Sequence, residues 1–573
     1  MAPAPTRPLA VPEGRTTAGE TAPWWQGAVL YQVYVRSWRD GDGDGYGDIR
    51  GVVEGLDYLD WLGVDGVWLS PTMPSPDDDW GYDVSDYLGV HPELGTLDDL
   101  DRLVAEAAAR GMRVLLDLVP NHTSSAHPWF VEARSARDAP HRDYYVWADP
   151  GPGGGPPNNW LDATGEPAWT FDAATGQYYL HNFLDSQPDL NWWEPAVHEE
   201  FERILRFWLE RGVSGFRIDV AHGLYKDAEL RDNPPAPPGD PLHHDQLPVY
   251  SSHRPEVHGV YRRWRRIAEE RIPPALLLGE TWVGTIEELA RYYGDGDELQ
   301  LAFNFRFVFA ELDAASLGAV VDETLSRLPP GACPVWTASN HDISRFPSRW
   351  CAGDPARTRL ALTVLLTLPG TVVLYYGDEI GMTDVDVPPA LQRDPMTRAN
   401  RGHRPNRDRA RTPMQWEAGP SGGFSAPGAR PWLPLGEVET LNVAVQRDDP
   451  SSTLSLTRRL LELRRRGLAP GVAPFRRLAS GAEQLVYRCG LLVVAANLSD
   501  EPAEVGGLAD VLACSSDPRR LPGAPDPSGP AGRADRGAET GRRAGTGPAG
   551  TATLLLAPWE AVVTSEDAPA AGG

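Results

Sequence analysis

Val213-Ser-Gly-Phe-Arg-Ile-Asp-Val-Ala-His222 is the stretch on which the reading of the chain turns. It is a short apolar run that ends on a carboxylate, Asp219, with a cation, Arg217, two residues earlier. A carboxylate placed straight after Phe-Arg-Ile is costly to bury unpaired. The same form recurs on both sides. VLYQVYV (29–35), VDGVWLSP (64–71), MRVLLDLVPNH (112–122), ALLLGETW (275–282), LQLAFNF (299–305), CPVWTASNHD (333–342) and GTVVLYYGDE (370–379) bring such runs to eight. Short runs rich in Val, Leu and Ile are the mark of strands buried on both faces.

Helical patterns fill the spaces between them. LDDLDRLVAEAAARG (97–111) sets Leu97, Leu100, Leu103, Val104 and Ala107 at three- and four-residue spacings, and Gly111 supplies a stop. PAVHEEFERILRFWLERG (195–212) repeats the pattern and ends on Gly212. Eight strands alternating with helices predict an α/β fold, a (β/α)8 barrel of the TIM type, over residues 24–122 and 187–465. Residues 123–186, after the third strand, are too long and irregular for a plain connection and predict an inserted subdomain. A second long excursion, polar and rich in Pro and Arg, follows the eighth strand at 383–430. From 466 to 573 the texture changes to short strand-like runs, which predict a C-terminal all-β sandwich domain with a flexible, low-complexity loop at 515–550. The head, residues 1–23, reads as disordered.

The bulk properties exclude several classes of function. The formal charge is −27, from 53 basic and 80 acidic residues. That argues against nucleic acid as a partner and suits a neutral ligand. The four cysteines, Cys333, Cys351, Cys489 and Cys514, form no C-x-x-C pair, so neither a zinc site nor a redox motif is indicated. The first twenty residues lack the apolar core of a secretory signal, and no run reaches 18 apolar residues, so no membrane span and a cytoplasmic location are expected.

Chemistry enters through the placement of acids. Asp117, Asp219, Glu280 and Asp342 all fall at the ends of predicted strands, the face where barrel active sites are built. One such acid reads equally well as an ion pair closing the barrel top with Arg217. Four on separate strands favour a site. Breaking a glycosidic bond with retention needs two carboxyl groups about 5–5.5 Å apart, one to attack the anomeric carbon and one to protonate the departing oxygen. Neighbouring strands are about 4.8 Å apart, so Asp219 and Glu280 on the fourth and fifth strand tips meet that requirement. Arg217 lies on the same strand face as Asp219, is expected to keep it ionised and is counted among the substrate contacts. Glu280 must begin protonated, and Trp282, two residues on, is expected to give it an apolar wall.

These residues sit in blocks that resemble the α-amylase superfamily, glycoside hydrolase family thirteen, from about Trp24 to Arg466. The blocks are Asp117-Leu-Val-Pro-Asn-His122, Gly215-Phe-Arg-Ile-Asp219, Gly279-Glu-Thr-Trp282 and Ser339-Asn-His-Asp342. Gln187-Pro-Asp-Leu-Asn-Trp192, Gly377-Asp-Glu-Ile-Gly381 and Arg411-Thr-Pro-Met-Gln-Trp416 point to its oligo-1,6-glucosidase and α-glucosidase branch, in particular to α-glucosidases of actinobacterial type. The resemblance implies a retaining, exo-acting α-glucosidase on small, maltose-like α-glucosides. It makes Asp219 the nucleophile, Glu280 the acid/base, and Asp342 the grip on the sugar 2- and 3-hydroxyls. His122 and His341 are implied to bond the same ring. Asp79 and Tyr82, in Asp79-Trp-Gly-Tyr82, are implied to bind the 4-hydroxyl and to stack on the glucose. Phe183 and Arg411 are implied to line the adjoining subsite.

Asp40-Gly-Asp-Gly-Asp-Gly-Tyr-Gly-Asp48 spaces carboxylates like an oxygen-ligand loop, and the branch has a calcium loop at this place. Asp40, Asp42, Asp44, the Tyr46 carbonyl and Asp48 are thus expected to hold one structural Ca2+, with Mg2+ as the alternative. Linkage is less determined. Val220 is a residue type linked with 1,6-bonds, but Ala221-His-Gly-Leu-Tyr-Lys226 departs from the 1,6-specific pattern, so 1,4 is favoured with 1,6 tolerated. Asp162-Ala-Thr-Gly-Glu166 lacks the aromatic residues usual in the branch. Two other readings stand beside hydrolysis: a transglucosylase or isomerase such as trehalose synthase on the same scaffold, and a non-catalytic sugar-binding or transporter-associated protein.

Overall fold

The computed structural model describes residues 22–237, 246–399, 406–468, 473–508, 511–516, 544–546 and 552–565. All eight expected strands form: β1 (Val29–Val33), β2 (Gly66–Leu69), β3 (Arg113–Leu118), β4 (Gly215–Ile218), β5 (Leu276–Gly279), β6 (Leu301–Ala302), β7 (Val335–Trp336) and β8 (Thr371–Tyr375). They make one parallel sheet in which each strand pairs with its neighbours in sequence, and β8 also pairs with β1. The seam lies between β6 and β7, the shortest strands, where no ladder joins the described residues. The architecture is the expected (β/α)8 barrel.

Alternation along each strand divides the side chains into two cores. Leu30, Trp68, Leu115, Leu276, Leu278, Leu301, Val335 and Val373 pack together inside the barrel. Val29 and Tyr31, Val114 and Leu116, and Val372 and Leu374 face outward into the larger core shared with the helices. This parity decides where the chemistry sits. Leu115 and Leu278 point inward, so Asp117 and Glu280, two residues on, do too. Arg217 stands in register between Asp117 on β3 and Leu278 on β5.

The helices start and stop where the chain signals it. Thr96 and Asp99 form a capping box on helix Leu97–Ala109, whose Leu100, Leu103, Val104 and Ala107 are buried. Helix Pro195–Glu210 opens on Pro at its first position and is followed by Gly212 at φ 96°.

Between β3 and β4 stands a small antiparallel sheet of Trp147–Ala148, Gln177–Leu180 and Trp169–Asp172. It has its own core of Trp160, Ala168, Trp169 and Leu180. Beyond the barrel, a five-stranded and a three-stranded antiparallel sheet enclose Val486, Val493, Val505, Leu508, Leu556 and Val562, which makes the C-terminal unit a β-sandwich. Arg464 ties the barrel's base together: its buried guanidinium donates to the carbonyls of Gly27, Leu366, Leu368 and Gly370. All four cysteines are buried and free. Residues 1–21 of the expected head (1–23) and residues 517–543 and 547–550 of the expected flexible loop (515–550) lie outside the described residues.

Gly215 opens β4 because nothing larger fits against β5. A Cβ there would lie 2.3 Å from the Leu276 carbonyl oxygen. Gly215→Ala should therefore lower unfolding stability by roughly 1–3 kcal/mol or more, the range for overpacking. Chemical denaturation checks this; an unchanged midpoint would show that β4 and β5 can part at no cost.

Candidate active site

One guanidinium organises the carboxyl end of the barrel. Arg217, 1 % exposed, donates through Nη1 to Asp117 Oδ1 at 2.8 Å and to Asp219 Oδ1 at 2.7 Å, and its Nη2 stands 2.9 Å from Glu280 Oε1. Three carboxylates from β3 and from the tips of β4 and β5 thus share one cation. The expected pairing of Asp219 with Arg217 is present, but its effect is smaller than expected. Burial pushes the Asp219 carboxyl up, Arg217 pulls it back, and the charges of Glu280, Asp117 and Asp342 push it up further, so the net direction is well upward. Burial likewise raises Asp117 to about 6 against the pull of Arg217. One cation does not balance three anions. Arg217, expected among the substrate contacts, is buried beneath the acids it holds.

Glu280 accepts on both oxygens. The Val220 N–H donates to Oε2 at 3.0 Å, and the Trp282 indole N–H to Oε1 at 3.1 Å. Trp282 is thus a hydrogen-bond donor to Glu280 and not the purely apolar wall expected of it. Its ring stacks on Phe305 at 3.9 Å with planes 13° apart. Val220 holds its N–H in place at φ 44°, a strained value for a β-branched residue.

A second group forms across the pocket. Asp342, at the end of the β7 segment, receives Arg407 Nη1 and Arg411 Nη2 on Oδ1, each at 3.0 Å, while His341 Nε2 lies 3.2 Å from Oδ2. Burial raises the Asp342 carboxyl, but His341, Arg407 and Arg411 overcome it and hold the group well below the usual carboxylate range. Tyr82 stacks on His341 with ring centres 5.2 Å apart and planes 2° apart, and its hydroxyl reaches His341 Nε2 at 2.6 Å and Asp117 Oδ2 at 3.0 Å. Gln32 Nε2 bonds His341 Nδ1 at 2.8 Å. Burial lowers His341 to about 3 and His122 to about 4, so both rings are neutral near pH 7. His122 bonds the Tyr82 carbonyl at 3.0 Å, and Phe183 packs on its ring at 5.1 Å.

Asp79 joins this group through Arg407, whose Nη2 is 2.6 Å from Asp79 Oδ1 and 2.7 Å from Asp394 Oδ1. Arg407 bridges three acids and is the residue sequence reading missed. It lies four residues before Arg411 in an Arg-rich stretch, where nothing in the pattern separates one arginine from the next. Arg411 departs from expectation as well. Its side chain is fully buried and bonds the His341 carbonyl as well as Asp342, so it positions the acid and does not line an adjoining subsite.

The acidic loop at 40–48 is pinned by its own carboxylates. Asp40, Asp42 and Asp48 bring carboxylate oxygens within 4.8 Å of one another. Asp40 is held by the Gly43 and Gly45 N–H groups at 2.6 and 2.8 Å, and Asp48 caps the helix at Ile49–Glu54 through Gly51 N–H at 2.6 Å. Asp44 turns to the Tyr46 N–H at 2.8 Å and stands outside the triad. Three converging acids of one sign fit a hard divalent cation with oxygen ligands.

Residues 32–469 match the family model for the alpha-amylase catalytic domain. A protein named probable alpha-glucosidase from Rhizobium meliloti (strain 1021) is 42% identical over 458 residues, covering 77% of this chain and 82% of its own. An oligo-1,6-glucosidase of Parageobacillus thermoglucosidasius is 37% identical over 479 residues, 77% and 84% of the two chains. Among solved structures, an alpha-glucosyl transfer enzyme superposes with a TM-score of 0.84 at 35% identity, covering 95% of this chain and 99% of that one. The trehalulose synthase of Pseudomonas mesoacidophila MX-45 gives 0.83 at 32% identity over 95% and 100%. The chain belongs to the alpha-amylase catalytic-domain family and is a glycoside hydrolase.

Proposed function

We propose that the protein is a retaining, exo-acting α-glucosidase that releases terminal glucose from short, maltose-like α-glucosides. The observation that carries this reading is the sharing of Arg217 by Asp219 and Glu280, which holds the two acids side by side at neighbouring strand tips. Asp219 attacks the anomeric carbon, Glu280 gives its proton to the departing oxygen, and a glucosyl ester on Asp219 results. Glu280 then takes a proton from water, the water oxygen bonds the anomeric carbon, and the ester bond breaks.

Asp342, held ionised by its arginines, grips the 2- and 3-hydroxyls. The Asp79–Arg407 pair meets the 4-hydroxyl, Tyr82 stacks on the sugar, and neutral His122 and His341 bond its edge. An ion pair at the 4-hydroxyl closes the pocket behind one glucose, which gives exo-action. The 1,4 linkage is favoured and 1,6 is accepted. Transfer to a sugar instead of water is a second reading, favoured by the likeness to a glucosyl transfer enzyme and a trehalulose synthase. No helix among the described residues is long and apolar enough to cross a membrane. Four buried, free thiols suit a reducing, cytoplasmic setting.

We read the loop at 40–48 as a structural Ca2+ site that Asp40, Asp42 and Asp48 would hold, with the Tyr46 carbonyl as a further oxygen ligand. A cation there would supply charge balance to the loop and take no part in bond breaking.

Asp219→Ala should lower glucose release from p-nitrophenyl α-glucoside by on the order of several powers of ten; activity close to that of the unaltered protein would remove Asp219 from the mechanism. Proton NMR in the first minutes of maltose hydrolysis should show α-glucose from the nonreducing end before mutarotation, whereas β-glucose there would exclude retention. Adding Ca2+ to chelator-treated protein should raise unfolding stability, by about 2.7 kcal/mol at a hundredfold excess over Kd. Asp42→Ala should abolish that gain; a gain that survives in the variant would place the ion elsewhere.

A further inference from the structure

The segment leaving β2 carries two groups of the donor pocket, Asp79 and Tyr82, on one tight turn, and a further acid, Asp83, stands inside that turn. Asp83 is fully buried. Its partners are donors of the turn itself. Oδ1 accepts the Asp79 N–H at 2.9 Å and the Ser75 hydroxyl at 2.7 Å, and Oδ2 accepts the Asp78 N–H at 3.0 Å. Ser75 Oγ in turn accepts the Asp77 N–H at 2.9 Å. The Asp79 carbonyl accepts the Tyr82 N–H at 3.1 Å, so both backbone groups of Asp79 are bonded within the turn.

The turn is held in an unfavourable shape. Asp77 and Trp80, on either side of Asp79, have φ 64° and 51°, in the left-handed region that a bulky Trp rarely enters. Strain of this kind persists where surrounding contacts fix it. Arg36 fixes one end, with Nη2 2.7 and 2.8 Å from the two oxygens of Asp77. Trp80 fixes the other, through its indole N–H to the Arg393 carbonyl at 3.2 Å and its ring 5.0 Å from that of Trp432. Burial pushes the Asp83 carboxyl up to about 7 against the pull of its donors, so the acid is kept inside the turn at a cost. What it adds is direction. Arg407 takes Oδ1 of Asp79, while Oδ2 meets Gln187 Nε2 at a long 3.4 Å. The aim of Oδ2 therefore follows from where the turn sets the Asp79 backbone.

We propose that Asp83 is a positioning residue that aims Asp79 at the sugar 4-hydroxyl and so sets how strictly the donor pocket demands that hydroxyl. The proposal rests on the α-glucosidase reading, in which Asp79 meets the 4-hydroxyl, and goes beyond it by naming the group that fixes the aim. A role in loop stability alone would lower activity on every substrate by the same factor. A role in aim falls on substrates that carry the 4-hydroxyl and spares those that lack it.

The test is kcat/KM on p-nitrophenyl α-glucoside and on its 4-deoxy analogue, for the full-length protein and for two variants of it. Asp83→Asn keeps the size of the side chain but sets an NH2 group against one of the N–H donors. Ser75→Ala removes one donor and leaves Asp83 in place. The unaltered protein should favour the glucoside over the 4-deoxy analogue. Asp83→Asn should narrow that preference about tenfold, the order of one lost hydrogen bond, and Ser75→Ala about threefold, each through loss on the glucoside. An unchanged preference in Asp83→Asn, with both substrates losing alike, would overturn the proposal. Should that variant not fold, an unchanged preference in Ser75→Ala would overturn it instead. If the unaltered protein leaves the glucoside uncleaved, the α-glucosidase reading itself fails. If it cleaves the two substrates with equal kcat/KM, that reading stands but Asp79 does not read the 4-hydroxyl. In either case the proposal falls.

Discussion

Everything at the mouth of the barrel depends on Arg217. A single buried guanidinium holds Asp117, Asp219 and Glu280 within hydrogen-bond distance of itself. Without it, three carboxylates on adjacent strands would repel one another in a setting that hydrates none of them well. With it, they are held close, although one cation does not neutralise all three. The cation thus fixes the spacing of the acids.

The second constraint is how the segment after β8 is held down. Its arginines, Arg407 and Arg411, reach Asp79, Asp342 and Asp394, yet the segment contains no long helix or strand among its described residues. It is anchored on the acidic loop after β1. Asp40 N–H donates to Phe424 O at 2.9 Å, Trp432 N–H to Gly45 O at 3.0 Å, and Met414 N–H to Ser37 O at 2.8 Å. Gly45 is required there, since a Cβ would lie 2.2 Å from the Arg430 carbonyl oxygen. The acidic loop at 40–48 therefore serves as a seat for the segment that carries Arg407 and Arg411.

Much of this was legible in the sequence. Apolar runs alternating with helical patterns predict the eight strands, their ends mark Asp117, Asp219 and Glu280, and the two-residue period puts Arg217 on the face of Asp219. Parity, however, says which side a group faces and not how neighbouring groups share charge. Arg217 looked like the partner of Asp219 alone, and it proved to serve three acids. Trp282 read as an apolar wall because composition records its ring; only geometry shows its N–H aimed at Glu280. Arg407 and Arg411 lie in an irregular segment where no period assigns direction, so one was missed and the other was placed in the wrong role.

The most direct test of the central claim is mass spectrometry of protein quenched during turnover of 5-fluoro-α-glucosyl fluoride, a substrate that slows release of the covalent intermediate. If Asp219 is the nucleophile beside a proton-donating Glu280, one fluoroglucosyl group will be found on the peptide bearing Asp219. An adduct on Glu280 or elsewhere, or steady turnover with no adduct at all, would contradict the account.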